Sequence, residues 1–365
     1  MWYEINNIAN YDSPALVIYE ERVKQNIAHA IQMAGDASRL RPHVKTNKIA
    51  EVCQLMLDAG ITKFKCATIA EAEMLAMIKA PDVLLALQPV AVKIERFINL
   101  VKNFPGTKFS CLVDDVNNVE ILSGKCGQAG IIADVFIDLN VGMNRTGIAM
   151  EKAFELFSFC MNSAHINPVG LHGYDGHVIA EDTGKRKEQS DAAFNKVNAL
   201  ADEIFQAFDR HCIVVVGGSP AFPVHAKRLN VECSPGTFVF WDWGYANKYP
   251  EQPFQFAALV IARIISIPAN NIICVDMGHK AVASEMPFPR VHFLNLPAAI
   301  AVSHSEEHLV LQVENASDLV LGQVLYGVPV HICPTVALHE NALVVLENKI
   351  CETWQVIARK RSITV

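Results

Sequence analysis

The stretch Leu40-Arg41-Pro42-His43-Val44-Lys45-Thr46-Asn47-Lys48-Ile49 decides how this chain folds. Residues 40–44 read as a short strand that runs straight into a lysine. Residues 49–59 read as a helix closed by Gly60, the residue type that most easily takes the left-handed turn past a helix end. Residues 64–67 form the next strand, and Thr68 with Glu71 three residues on is a capping-box signature for the helix after it. The alternation continues outward. Upstream, residues 15–19 read as a strand, and residues 21–35 as a helix with Val23, Ile27, Ala30, Ile31 and Ala34 on one face. Downstream, strands are predicted at 83–87, 109–113, 133–139, 169–172 and 213–216, with helices at 92–104 and 188–209 among them. The strands are nearly all apolar, the pattern of a parallel sheet covered on both faces. About eight such repeats predict a (β/α)8 TIM barrel. No Gly-x-Gly-x-x-Gly follows the first strand, which argues against a dinucleotide site.

After Phe254 helices almost vanish. Short strands are predicted at 257–267, 271–276, 280–283, 309–314, 323–328, 342–347 and 350–360, which read as a C-terminal antiparallel β domain. The expected domains are therefore 12–254 for the barrel and 255–365 for the β domain, with residues 1–11 joining the latter as an extra strand.

The chain has 365 residues, is 51% hydrophobic and carries a net charge of −7. That suffices for a large core, and scattered Lys and Arg offer no nucleic-acid face. No apolar run reaches the length of a membrane span. Residues 1–7 lack the blocks of a signal peptide, and none of the ten cysteines falls in a Cys-x-x-Cys pair. The expected location is cytoplasmic, with the thiols reduced.

A lysine at a barrel-strand end points into the mouth where such barrels hold their active sites. A carbonyl cofactor needs a neutral, nucleophilic amine there, which partial burial beside other cations favours. Arg41, His43 and Lys48 are the candidate neighbours; on charge alone the cluster reads equally as a solvated loop. Val216-Gly217-Gly218-Ser219 ends an apolar strand in a glycine turn suited to phosphate. In Gly327-Val328-Pro329-Val330-His331-Ile332-Cys333-Pro334-Thr335, read as a strand, His331 and Cys333 share a face about 6–7 Å apart. Imidazole and thiolate suit a zinc-like ion with open positions; the same pair also reads as two core residues.

The repeat and the octapeptide from Arg41 to Lys48 resemble the D-threonine aldolase and D-serine dehydratase family, which belongs with alanine racemase in the third structural class of pyridoxal phosphate enzymes. That family carries Pro-His-x-Lys-Thr-His-Lys, whose first lysine is the Schiff-base residue. Pro42-His43-Val44-Lys45-Thr46-Asn47-Lys48 matches, with Asn47 in place of the second histidine. Further matches follow in order over almost the whole chain. The resemblance implies pyridoxal 5'-phosphate on Lys45. It places Arg145, in Gly142-Met143-Asn144-Arg145-Thr146-Gly147, near the cofactor's phenolic oxygen or the substrate carboxylate. It sets Tyr174, or alternatively His172, against the pyridine face, with His177 close by. It adds Gly236 and Thr237 to Gly217, Gly218 and Ser219 at the phosphate. It makes His331 and Cys333 a metal pair, for zinc or manganese, closer to the D-serine dehydratase branch. Ser305-Glu306-Glu307-His308 and Asp276-Met277-Gly278-His279-Lys280 match supporting segments.

The implied function is a pyridoxal-phosphate-dependent lyase acting on 3-hydroxy D-amino acids, by aldol cleavage or dehydration, as a homodimer. Amino-acid racemisation is the alternative, with Tyr326 as the candidate second base; a non-catalytic cofactor carrier is a third reading.

Overall fold

The computed structural model describes Met1–Val365. The chain divides into two compact units. One comprises residues 1–29, 46–52 and 237–359; the other comprises 30–45, 53–236 and 360–365.

The second unit is the barrel. Strand β1 (Ala15–Tyr19) lies outside it, in the first unit. The barrel's strands are β2 (Lys63–Cys66), β3 (Asp82–Leu85), β4 (Lys108–Val113), β5 (Ala133–Asp138), β6 (Ile166–Gly173), β7 (Ile213–Val216) and β8 (Glu232–Cys233). They pair in that order, all parallel. Residues 40–44 complete the ring: Leu40 bridges Cys233 and His43 bridges Lys65, both in parallel. The Arg41 N–H donates to the Cys233 carbonyl (2.8 Å) and the Lys65 N–H to the Pro42 carbonyl (2.8 Å). Leu84, Leu112, Phe136 and Val215 fill the interior with a buried apolar cluster. Arg41 is itself fully buried and binds Asp82 Oδ1 and Glu232 Oε2, each at 2.6 Å. Its three-sided ion cluster with Lys63, 2.5 Å from Glu232 Oε1, ties the closing segment to β2, β3 and β8.

The helix predicted at 188–209 runs Thr183–Phe208, because Asp182 caps it by accepting from the Lys185 N–H.

The first unit is built on a sheet of β1 with β9 (Ala258–Ala269), β10 (Ile272–Val275), β11 (Val291–Phe293), β12 (Ile300–His304), β13 (Leu309–Gln312), β14 (Val324–Pro329), β15 (Asn341–Leu346) and β16 (Lys349–Gln355). Three expectations change here. Residues 15–19, read as the first barrel strand, instead sit between β9 (antiparallel) and β15 (parallel), with Val17 opposite Leu259 and Leu343. Leu16, Val17 and Ile18 are completely buried, so the strand has the two-sided apolar pattern of a barrel strand, and only its partners distinguish it. Residues 1–11 form no strand; Tyr3 and Ile5 pack into the sheet's core cluster with Tyr326 and Val328. Residues 280–283, expected as a strand, form a turn.

Candidate active site

Within the barrel unit, a cavity of about 290 Å³ opens at the carboxyl ends of the strands, lined by Lys45, Lys65, Asp138, Arg145, His172 and Tyr174 among others. Lys45 sits in a single 3-10 turn, Val44–Thr46, that follows the closing segment. Its N–H donates to His43 Nδ1 (3.3 Å). Of the three cations expected beside Lys45, only His43 lines this cavity. Arg41 is committed to Asp82 and Glu232 instead. The Tyr174 ring gathers the cavity's cations: Lys45 Nζ lies 5.8 Å, Lys65 Nζ 5.7 Å and Arg145 Cζ 4.9 Å from its centroid.

His172 is buried, and its Nδ1 lies 2.7 Å from Asp138 Oδ1. Burial and nearby Lys65 push its imidazole below the ordinary histidine range despite that carboxylate. Burial alone would raise the Asp138 carboxyl, but His172 and Thr146 hold it low. Asp114 anchors the arginine-bearing loop by accepting from the Gly147 N–H (2.9 Å). His177 is exposed, and its ring lies over Gly142, where a Cβ would meet its Nε2 at 2.6 Å.

The glycine turn lies beside the same tyrosine. Gly217 has φ +81°, and a Cβ on Gly218 would fall 3.0 Å from Tyr174 Cε2. The Gly236 N–H donates to Ser219 Oγ (3.2 Å), so two distant segments meet. Below the turn, His225 Nε2 lies 2.7 Å from buried Asp175 Oδ2. An amine, planar ring faces, an arginine and a side-chain-free turn fit a planar aldehyde carrying a phosphate.

In the first unit, His331 and Cys333 do meet, by a route other than the expected strand. β14 ends at Pro329, His331 is the N-cap of helix Ile332–Leu338, and Cys333 lies in that helix's first turn. Asp242 Oδ2 accepts from the Ile332 N–H (3.1 Å) and steadies the helix start. Burial alone would lower the His331 imidazole, but Cys333, Glu285 and Asp242 together raise it to about 9. Burial alone would raise the Cys333 thiol, but His331 and the Thr46 hydroxyl hold it below the usual thiol range. Each group thus favours the charged form of the other. Glu285 Oε1 lies 2.5 Å from His331 Nδ1. Cys333 Sγ lies 3.1 Å from Thr46 Oγ1 and 3.6 Å from Thr237 Oγ1. Thr237, expected at the phosphate, thus turns its hydroxyl to the thiol. No cluster of three His, Cys, Asp or Glu side chains is arranged to hold a metal. Two donors fit an ion with open positions and do not fit a closed structural site.

The two supporting segments pack on each other. The His279 N–H donates to the Ser305 carbonyl (2.9 Å), Lys280 Nζ lies 3.0 Å from Glu307, and a Cβ on Gly278 would meet the Glu306 carbonyl oxygen at 1.9 Å.

Sequence reasoning missed Lys65, Asp138, Thr46 and Glu285. Lys65 and Asp138 stood in the sequence as charges beside apolar neighbours, but so did Lys63 and Asp134 of the same strands. Glu285 had no local signal.

Residues 18–242 match the model of the alanine racemase N-terminal domain. The chain belongs to that family. In this family member, residues 257–345 also match a serine dehydratase domain. The chain is 26% identical to D-threonine aldolase from Arthrobacter sp, over 96% of this chain and 94% of that one. It is 24% identical to D-threo-3-hydroxyaspartate dehydratase from Delftia sp. (strain HT23), over 96% and 98%. The crystal structure of D-threonine aldolase from Filomicrobium marinum matches with a TM-score of 0.89 at 25% identity, covering 96% of each chain. The family implies pyridoxal phosphate as cofactor. No helix is long and apolar enough to cross a membrane.

Proposed function

We propose that this family member is a pyridoxal-phosphate-dependent lyase acting on 3-hydroxy D-amino acids, with Lys45 bearing the cofactor and His331 and Cys333 serving the substrate hydroxyl. One observation carries the reading. Thr46, joined to Lys45 by a peptide bond, shares a 3.1 Å hydrogen bond with Cys333, so the two motifs expected to cooperate are linked through adjacent residues.

When bound, pyridoxal phosphate supplies an electron sink for charge developing at the substrate α-carbon. The Gly217-Gly218-Ser219 turn, with Gly236, supplies the phosphate cradle. Tyr174 and His172 supply ring faces that exclude water, and Asp138 fixes the His172 ring. Arg145 offers paired donors for a carboxylate or phenolate. Lys45 Nζ takes the α-proton in dehydration, where the 3-hydroxyl departs and a 2-oxo acid and ammonia result. If the hydroxyl proton is removed instead, the Cα–Cβ bond breaks to glycine and an aldehyde. His331 and Cys333 would hold a divalent ion, zinc or manganese, whose Lewis acidity suits either outcome.

The racemase reading is the weaker one. Tyr326, its candidate second base, is buried, accepts from the Ile5 N–H (3.3 Å) and packs on Tyr3 within its own unit. The resemblance to aldolases and a dehydratase speaks against a non-catalytic carrier. We also propose a cytoplasmic homodimer. All ten cysteines are free, and the edge strand β12 exposes Ile300 and Val302.

The test is an absorbance scan before and after borohydride, with peptide mapping of the reduced adduct. The reduced adduct is expected on Lys45. Lys45→Ala is expected to lose the cofactor band and roughly 10³-fold or more in activity. D-threonine and D-threo-3-hydroxyaspartate, with and without chelator, then distinguish aldehyde from 2-oxo acid. Chelator-insensitive loss of optical rotation with neither product would overturn the lyase reading.

A further inference from the structure

Lys65 has no part in the function just described, yet it lines the same cavity as Lys45. It is only 2% exposed, in the centre of β2 between the buried Phe64 and Cys66. An isolated ammonium in such a place is costly. Its Nζ lies 3.4 Å from His172 Nε2, while His172 Nδ1 lies 2.7 Å from Asp138 Oδ1. An ionised carboxylate only accepts, so Nδ1 carries the ring hydrogen and Nε2 presents its lone pair to Lys65. The result is a buried chain in which Lys65 donates to His172 and His172 donates to Asp138.

The charged groups around Lys65 come from several elements. Arg41 lies in the closing segment and Lys45 just after it, Asp138 ends β5, His172 lies one residue before the end of β6, and Asp175 follows β6. Burial acts most strongly and lowers Lys65. Lys45 is the next influence and lowers it again, Asp138 and Asp175 raise it, and Arg41 lowers it, leaving Lys65 at about 7. Two ammonium ions facing one tyrosine ring from 5.7 and 5.8 Å repel each other in a poorly screened cavity.

We propose that Lys65 is a positioning residue for Lys45: a second amine that accepts the proton Lys45 must shed before its nitrogen attacks a carbonyl. The proposal rests on the reading of Lys45 as the cofactor-bearing residue. The exchange balances. Lys45 passes from –NH3⁺ to –NH2, Lys65 passes from –NH2 to –NH3⁺, and the cavity keeps its net charge. The Asp138–His172 chain stabilises the new ammonium, because an anchored imidazole lone pair accepts its proton and a carboxylate stands behind it.

The test is ¹³Cε-lysine NMR across pH on the cofactor-free, full-length protein. One lysine signal is expected to titrate near neutrality and to be absent from Lys65→Met, or from Lys65→Gln should the methionine variant fail to fold. In Lys45→Ala, where Lys65 is untouched, its midpoint is expected to rise by about one pH unit or more. A buried lysine electrostatically insulated from Lys45 would not show that coupling. The proposal is overturned if every lysine titrates only above about pH 9, or if the Lys65 midpoint stays put in Lys45→Ala. Borohydride mapping with pyridoxal phosphate separates the two readings. An adduct on Lys45 with an uncoupled Lys65 overturns this proposal alone, whereas an adduct on a different lysine overturns the cofactor assignment and the proposal together.

Discussion

Thr46 and Cys333 are 287 positions apart and share a 3.1 Å hydrogen bond. At the scale of single residues burial acts most strongly on the thiol and raises it, His331 does most to lower it, and the Thr46 contact adds to that lowering. Thr46→Val keeps the shape and removes the hydroxyl. With Cys333 holding the ion proposed above, it is expected to lower kcat/KM about 10–100-fold, the range for loss of an outer hydrogen bond to a metal ligand. Circular dichroism is expected to be unchanged. Steady-state kinetics on D-threonine check this, and unaltered kcat/KM would detach Thr46 from the chemistry. Lys45, Arg145, His172, Tyr174, His331 and Cys333 could all be named from the sequence, because each sits in a short local motif. Lys65 and Glu285 could not be placed that way, since their significance comes from neighbours distant in the chain, His172 for one and His331 for the other.

Single elements show how local pattern and tertiary context divide the work. The Val216-Gly217-Gly218-Ser219 turn was legible because two glycines after an apolar run mark a backbone that turns sharply. Its φ of +81° at Gly217, with the His225 ring 2.5 Å from where a Cβ would stand, gives that reading its physical reason. Gly217→Ala is expected to cost roughly 1–3 kcal/mol of stability through strain in the left-handed region. It is also expected to weaken pyridoxal phosphate binding more than pyridoxal binding. Thermal melts and titrations with the two compounds check both effects. The segment from His331 to Leu338 went the other way. Val328, Val330 and Ile332 alternate as in a strand, yet the chain turns into a helix at Ile332, whose N–H is taken up by the Asp242 carboxylate. Nothing in the local alternation announces an acceptor supplied from residue 242.

Across the whole molecule, buried charges make stability depend on pH. Lys65 stands at about 7 when folded, against 10.5 for a solvated lysine. Between those values the unfolded chain binds more protons than the folded one, so the Lys65 contribution to stability rises as pH increases from about 7 towards 10. Below that window both states are protonated and the contribution is constant. Lys65→Met is therefore expected to exceed the parent cofactor-free protein in stability most clearly at neutral pH, with the gap closing on the alkaline side. Urea unfolding at two pH values measures it; a gap independent of pH would exclude the shifted lysine. The sequence by itself determined the succession of strands and helices, the two-part organisation and the motifs, since hydrophobic period, glycine turns and capping residues act over a few neighbouring positions. Tertiary structure alone decided the rest. It placed residues 15–19 beside β9 and β15 rather than in the barrel, and assigned residues 40–44 to close the ring. It also brought Lys65 to His172 and Thr46 to Cys333. An apolar strand buried on both faces looks the same whichever sheet receives it, and the partner of a buried charge is chosen by packing between segments far apart in the chain.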